Sequence, residues 1–395
     1  VIISGRSSID SPAGFQLQGV SEVTRFIESY GYDIENPIER AELLGNFREA
    51  LNFVRKQFLQ PDNPDGLRLE IPRKVLELAD IRDLFLMASH ALPGQQKDTS
   101  GGVLSAWACS ILKIMHTIAH IDKDLRTSYF SDIQQQIFDR FYRVIHRTEE
   151  GQLYLGDKDD DPMRVDLDSF ETKPKKTRDS IILKLLHKPE NVAEDIFDRV
   201  GIRFVTGTML DAVRVIKFLK DRMIVMPPNI KPSRSRNTLL EMDFFREQLG
   251  QLLGRAESGQ LDEAGLVIAL HEATRAPTVN PENPHSSEFY RAIQFTCRQL
   301  IKLQNPLFAD LKELKTQSRS KQPVHEELLK TIERIDLKYL QREIRFFYPY
   351  EVQVVDRRSA EENEKGRSAH SEYKRAQVQT AMKRVMGSLA AGGHA

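Results

Sequence analysis

Two short apolar runs that carry acids, far apart in the chain, constrain the fold most. They are Asp195-Ile-Phe-Asp198-Arg-Val-Gly-Ile-Arg203-Phe-Val-Thr and Tyr350-Glu351-Val-Gln353-Val-Val. In the first, acids precede Gly201 and Arg203 lies within the apolar stretch. In the second, Glu351 and Gln353 share one face, because strand side chains repeat with period two. Brought together by folding, Asp198 and Glu351 would supply two carboxylates, and Mg²⁺ is commonly held by one or two carboxylates plus substrate phosphates.

The surrounding chain predicts an α+β protein. Ser21 to Tyr30, Pro37 to Phe58, Pro72 to His90, Gly101 to Ile121 and Asp132 to His146 have apolar residues at three- and four-residue spacing, so 1–150 reads as a helical N-terminal domain. An acidic cluster, Asp157 to Asp161, marks a boundary, and Met163 to Asp168 alternates like a strand. A basic turn from Lys173 leads into a helix through Ser180 and Lys184. Strand Gly201–Thr206 and helix Leu210–Arg222 follow, an alternation that signals layered packing. The second domain, 151–386, is expected to be a mixed sheet flanked by helices, with insertions near 227–287 and 305–342. Residues 387–395 read as a frayed tail.

At 395 residues the chain can bury more than one core, and its 40% hydrophobic and 29% charged residues suit a globular protein. No apolar run reads as a bilayer span and no signal-peptide pattern is visible, so the expected location is the cytoplasm, without membrane attachment. Two cysteines, Cys109 and Cys297, are too few for a disulfide framework. Cys109, His116 and His120 share a helical face with Asp122 close behind, a possible metal set, but packing in an apolar helix is the preferred reading. A formal net charge of zero argues against capture of nucleic acid by bulk charge and leaves local basic patches open.

Read in order, Lys176, Ser180-Ile-x-x-Lys184, Asp198-x-x-Gly-Ile-Arg203, Phe289-Tyr290-Arg291-Ala-Ile-Gln294, Glu351-x-Gln353 and Ala-His370-x-x-Tyr373-Lys374 resemble the synthetase domain of the RelA/SpoT family. These are alarmone synthetases of the stringent response, which move pyrophosphate from ATP to the 3′-hydroxyl of a guanine nucleotide, giving (p)ppGpp. The resemblance spans roughly 165–377 and implies a nucleotidyltransferase-like fold. It implies that Lys176, Ser180 and Lys184 approach the donor phosphates and that Asp198 binds Mg²⁺ with Arg203 as its motif partner. It further implies that Tyr290 stacks on the acceptor base beside Arg291, that Glu351 is second metal ligand or general base with Gln353 alongside, and that His370, Tyr373 and Lys374 close the site. Phe289, Ala292 and Gln294 replace the family's Gly, Ser and His, and no Asp-Tyr-Ile-x-x-Pro-Lys element is recognisable. Those departures leave two alternatives open. One is transfer to the 3′ end of tRNA, which the basic Lys231-Pro-Ser-Arg234-Ser-Arg236 segment would suit; the other is a degenerate regulator that binds nucleotide or a partner without catalysis. Oligomerisation through the helical domain or the insertions is also compatible.

Independently of the family, pyrophosphoryl transfer needs cations on the phosphates, a metal bridge and a base near the attacking hydroxyl. Lys176, Lys184, Arg203 and Arg291 can supply the first, and Asp198 and Glu351 the others.

Overall fold

The computed structural model describes residues 16–92, 99–157, 160–173, 177–187, 199–277, 290–318, 326–335, 342–365 and 370–392. The chain is α+β, with helices on a seven-stranded mixed sheet. It opens with α1 (Val20–Tyr30), α2 (Pro37–Phe58), α3 (Arg73–Leu76), α4 (Ile81–Ala88), α5 (Thr99–Asp122) and α6 (Phe130–Tyr142). Then come β1 (Ile145–Arg147), β2 (Leu153–Leu155), β3 (Val165–Thr172), α7 (Arg178–His187), β4 (Gly201–Thr206), α8 (Met209–Asp221) and β5 (Ile230–Asn237). The remainder is α9 (Met242–Glu257), α10 (Glu263–Glu272), β6 (Ile293–Gln304), α11 (Pro306–Ser318), α12 (Glu326–Arg334), β7 (Glu343–Asp356), α13 (Arg357–Lys365) and α14 (His370–Gly392).

The segment expected as one helix over Pro72 to His90 is two, because the Asp80 side chain accepts from Arg82 N and starts α4 afresh. The long α5 is apolar and long enough to cross a membrane by length and composition, contrary to the sequence reading. Yet 67% of its most apolar stretch is buried within the protein. It is the central helix of the first core, where Trp107, Ile111, Ile114 and Ile118 pack against α2 and α4.

Among the described residues two large cores, with two smaller clusters beside them, organise the molecule, and neither large core follows the chain order. The helical core takes Ile182 to Leu186 of α7 and Ala381 to Leu389 of α14, from the far half of the sequence. Arg178 pins the start of α7 to this core through Glu49 of α2 and Asp122 of α5. The expected tail is helical as far as Gly392, and Leu389 within it is buried in the helical core. In the other direction, α6 and β1, expected in the helical domain, belong to the sheet core: Phe130, Ile133, Ile137 and Phe141 pack against the strands with Phe218 of α8.

The strand order is β1-β2-β3-β4-β7-β6-β5, with β4 and β7 parallel and every other pair antiparallel. Both expected strands therefore lie side by side at the centre. Ile202, Phe204, Val352 and Val354 face the core beneath α6 and α8. Period two turns Gly201, Arg203, Glu351 and Gln353 to the opposite face. The stretch 227–287, expected as an insertion, contributes β5 at the sheet edge, whereas 305–342 bridges the two long strands of the β6–β7 hairpin.

Candidate functional site

The strand register builds the polar face in rows. Gly201 lies opposite Glu351, which lies opposite Thr296, which lies opposite Lys231; the next row runs Glu171, Arg203, Gln353, Gln294, Arg236. The central strands β4, β7 and β6 are apolar at the alternating positions that face the core, so burial of that face fixes their register and delivers their polar side chains to the other, while β5 adds Lys231 and Arg236 at the sheet edge.

Glu351 is the centre of this face and only 8% exposed. Its Oε2 accepts from Lys173 Nζ at 2.5 Å, and its Oε1 accepts from Gln294 Nε2. Lys173 follows β3 directly, and its N–H donates to Gly201 O at 2.8 Å, so its side chain reaches Glu351 across Gly201. A Cβ at Gly201 would meet Lys173 Cδ at 2.5 Å and Cγ at 3.0 Å. The glycine before the first strand's apolar run is thus a close-approach position.

Gln353, 5% exposed, donates to the Tyr290 hydroxyl. Tyr290, the residue that the resemblance implies would stack on the acceptor base, is partly buried against Val205, Ala292, Val355 and Ala360. Burial pushes its phenol pKa up, and the hydroxyl stays protonated at neutral pH. The backbone on either side is clamped: Arg291 N donates to Asn363 Oδ1 of α13 at 3.1 Å, and Ala292 N donates to Thr238 Oγ1 at 3.0 Å. Arg203 reaches Glu364 of α13 at 3.0 Å and Glu171 at 3.5 Å, while its Nε is buried and has no hydrogen-bond partner among the described residues.

The fold thus gathers Glu351, Gln353, Arg203, Tyr290 and the Arg291 backbone. Ser180 and Lys184 stand one turn apart on the side of α7 away from its buried leucines, and the Ser180 hydroxyl pairs with Thr177. Lys374 is exposed on α14, whose next residue, Arg375, pairs with Asp65 of the helical core at 2.6 Å. Asp198, Lys176 and the side chains of His370 and Tyr373 lie outside the described residues. Sequence reasoning missed Lys173 and Gln294 as partners of Glu351. The signal for Gln294 was present as a departure from the motif; Lys173 looked like a solvated basic turn.

A divalent ion would find a hard oxygen donor in Glu351, and the Lys173 ammonium marks a position where positive charge is already compensated. Among the described residues no three His, Cys, Asp or Glu side chains converge as a metal site. His116 of α5 is instead hydrogen-bonded through Nδ1 to Tyr30 OH at 2.6 Å and lies edge-on to His120. No family model matches the chain, and no curated protein matches its sequence.

Proposed function

We propose that the chain transfers pyrophosphate from ATP to the 3′-hydroxyl of a guanine nucleotide, as the resemblance to RelA/SpoT synthetases implies. The observation that carries the reading is a buried carboxylate, Glu351, between Lys173 and Gln294 on the polar face of a mixed sheet, with Arg203 and the Tyr290–Gln353 pair in the adjoining row. In the reaction the acceptor oxygen bonds to the β-phosphorus of ATP, the bond from that phosphorus to the α–β bridging oxygen breaks, and AMP leaves. In this reading Glu351 accepts the hydroxyl proton or helps to hold a metal. Arg203 and Lys173 offset the charge that spreads over the transferring group, the largest electrostatic demand of such chemistry. Glu351, with Asp198 as second ligand, would hold Mg²⁺, which would supply positive charge to offset that of the donor phosphates.

Incubation with ATP, Mg²⁺ and GDP or GTP should yield AMP and a 3′-pyrophosphorylated nucleotide in equal amounts. Glu351→Gln keeps the shape and the contact with Gln294, and should lower turnover at least a hundredfold while the fold persists. Turnover within a few-fold of wild type in that variant would refute the assignment. The engagement of both Glu351 oxygens favours one second reading, nucleotide binding without transfer. Saturable ATP binding with no AMP formed would select it.

A further inference from the structure

The polar face does not end at Glu351. Along the β6–β7 hairpin the next rows on the same face are Arg298 with Pro349, Leu300 with Phe347, and Lys302 with Arg345. Beyond Pro349, which is buried, this face opens to solvent: Arg298 and Lys302 are exposed, Leu300 is 40% and Phe347 51% exposed. The reverse face is covered by α6, where Gln136 bonds to the Lys302 carbonyl and Gln299. At the sheet edge, Lys231 and Arg236 of β5 flank the Thr296 and Gln294 positions. Among the described residues five cations thus line this strip, against Glu343, which Arg345 already pairs at 2.6 Å, and Glu351, which Lys173 pairs. In a chain whose acids and bases balance at 57 each, that is local patterning rather than surplus charge.

We propose that this ribbon face binds single-stranded nucleic acid, with the strand running from Phe347 toward Glu351. The chemistry is complementary on both counts. Cations at successive rows contact phosphates without reading sequence, and an exposed aromatic gives a base a stacking surface. The row of Lys302 and Arg345 stands about 20 Å along the strands from Glu351, farther than one nucleotide reaches. The ribbon therefore serves a polymer rather than a mononucleotide, and delivery of a 3′ end rests on the proposed transfer at Glu351, whereas binding itself does not.

The test is fluorescence anisotropy with labelled oligonucleotides of about ten residues, oligo-U and oligo-dT, without ATP, over a series of salt concentrations. Wild type should bind saturably, more weakly as salt rises. Phe347→Ala should weaken binding roughly tenfold or more, and Arg298→Gln with Lys302→Gln should flatten the salt slope by about 1.4. These side chains are exposed, so unchanged circular dichroism and melting will certify the fold. Binding to both oligonucleotides supports a strand-binding ribbon, and tighter oligo-U binding adds contact with the 2′-hydroxyl. Lack of saturable binding, or equal binding by the variants, overturns the proposal. Self-association abolished by Phe347→Ala, with no oligonucleotide bound, overturns it in favour of a protein interface. Since no ATP is present, failure of nucleotide transfer would leave this result standing.

Discussion

Replacing Gly201 with alanine should disturb the site through Lys173 alone. The backbone at Gly201 lies outside the left-handed region, so alanine meets no strain there. In a strand that substitution would by itself be neutral or stabilising by up to about 1 kcal/mol, since glycine loses more conformational freedom on folding. Here the new Cβ would lie 2.5 Å from Lys173 Cδ, 3.0 Å from Cγ and 3.2 Å from Cβ, while the Lys173 N–H is tied to Gly201 O at 2.8 Å. The lysine stem must swing away, and Glu351 loses its ammonium. Removing one partner of a buried ion pair costs about 3–5 kcal/mol. Because the Lys173 side chain is 35% exposed, water screens the pair and reduces that to about 1–3 kcal/mol. Urea unfolding of Gly201→Ala, Lys173→Ala and the double variant measures the coupling. Each single variant should lose about 1–3 kcal/mol, and Gly201→Ala made on Lys173→Ala should cost nothing further or restore a little. Additive losses would refute the reasoning, because the glycine would then serve something other than the passage of Lys173.

Two further outcomes follow from the helical core. Burial, and secondarily the charge of His120, lowers the His116 pKa from 6.5 to about 4. Between those values the unfolded chain binds the extra proton, so this contribution to stability is complete above about pH 6.5 and falls as pH drops toward 4, by roughly 3 kcal/mol. Subtracting the stability–pH curve of His116→Gln from that of wild type isolates it, and a flat difference would show that His116 is not held neutral. Leu389→Ala should cost about 2–4 kcal/mol in urea unfolding, as expected for a buried leucine; a loss below about 0.5 kcal/mol would mean that the end of α14 is not part of the core.

Much of this architecture was legible because it is local. The apolar run of Gly201–Thr206 with Arg203 inside it, and the Tyr350–Val355 run with Glu351 and Gln353 on one face, predict strands, and both are strands at the sheet centre. The pairing of Glu351 with Gln353 on one face followed from the same period. The helices of the first 150 residues were visible from three- and four-residue spacing, apart from the cap at Asp80 that divides one of them. What failed had non-local causes. Gly387 to Gly392 looks like a fraying end, but Leu389 finds a place against α5 and α7 that composition cannot reveal. The Lys231 to Arg236 segment, with Pro and Ser, reads as the start of an insertion outside the core sheet. It is a strand because β6 offers a free edge, where a proline is tolerated.

The sequence by itself determined the periodicities, hence the element types, the polar face of each central strand and the identity of Glu351 as its acid. These depend only on neighbours along the chain. The tertiary structure alone decided which partners that acid has. Lys173 is 178 residues away and Gln294 is 57, and each arrives through strand order and register that no local pattern encodes. The same non-local order extends the polar face of β7 along β6 into a basic, aromatic ribbon. Sheet pairing is governed by burial of the opposite face, so residues placed on the polar side become neighbours only when the core beneath them has been assembled.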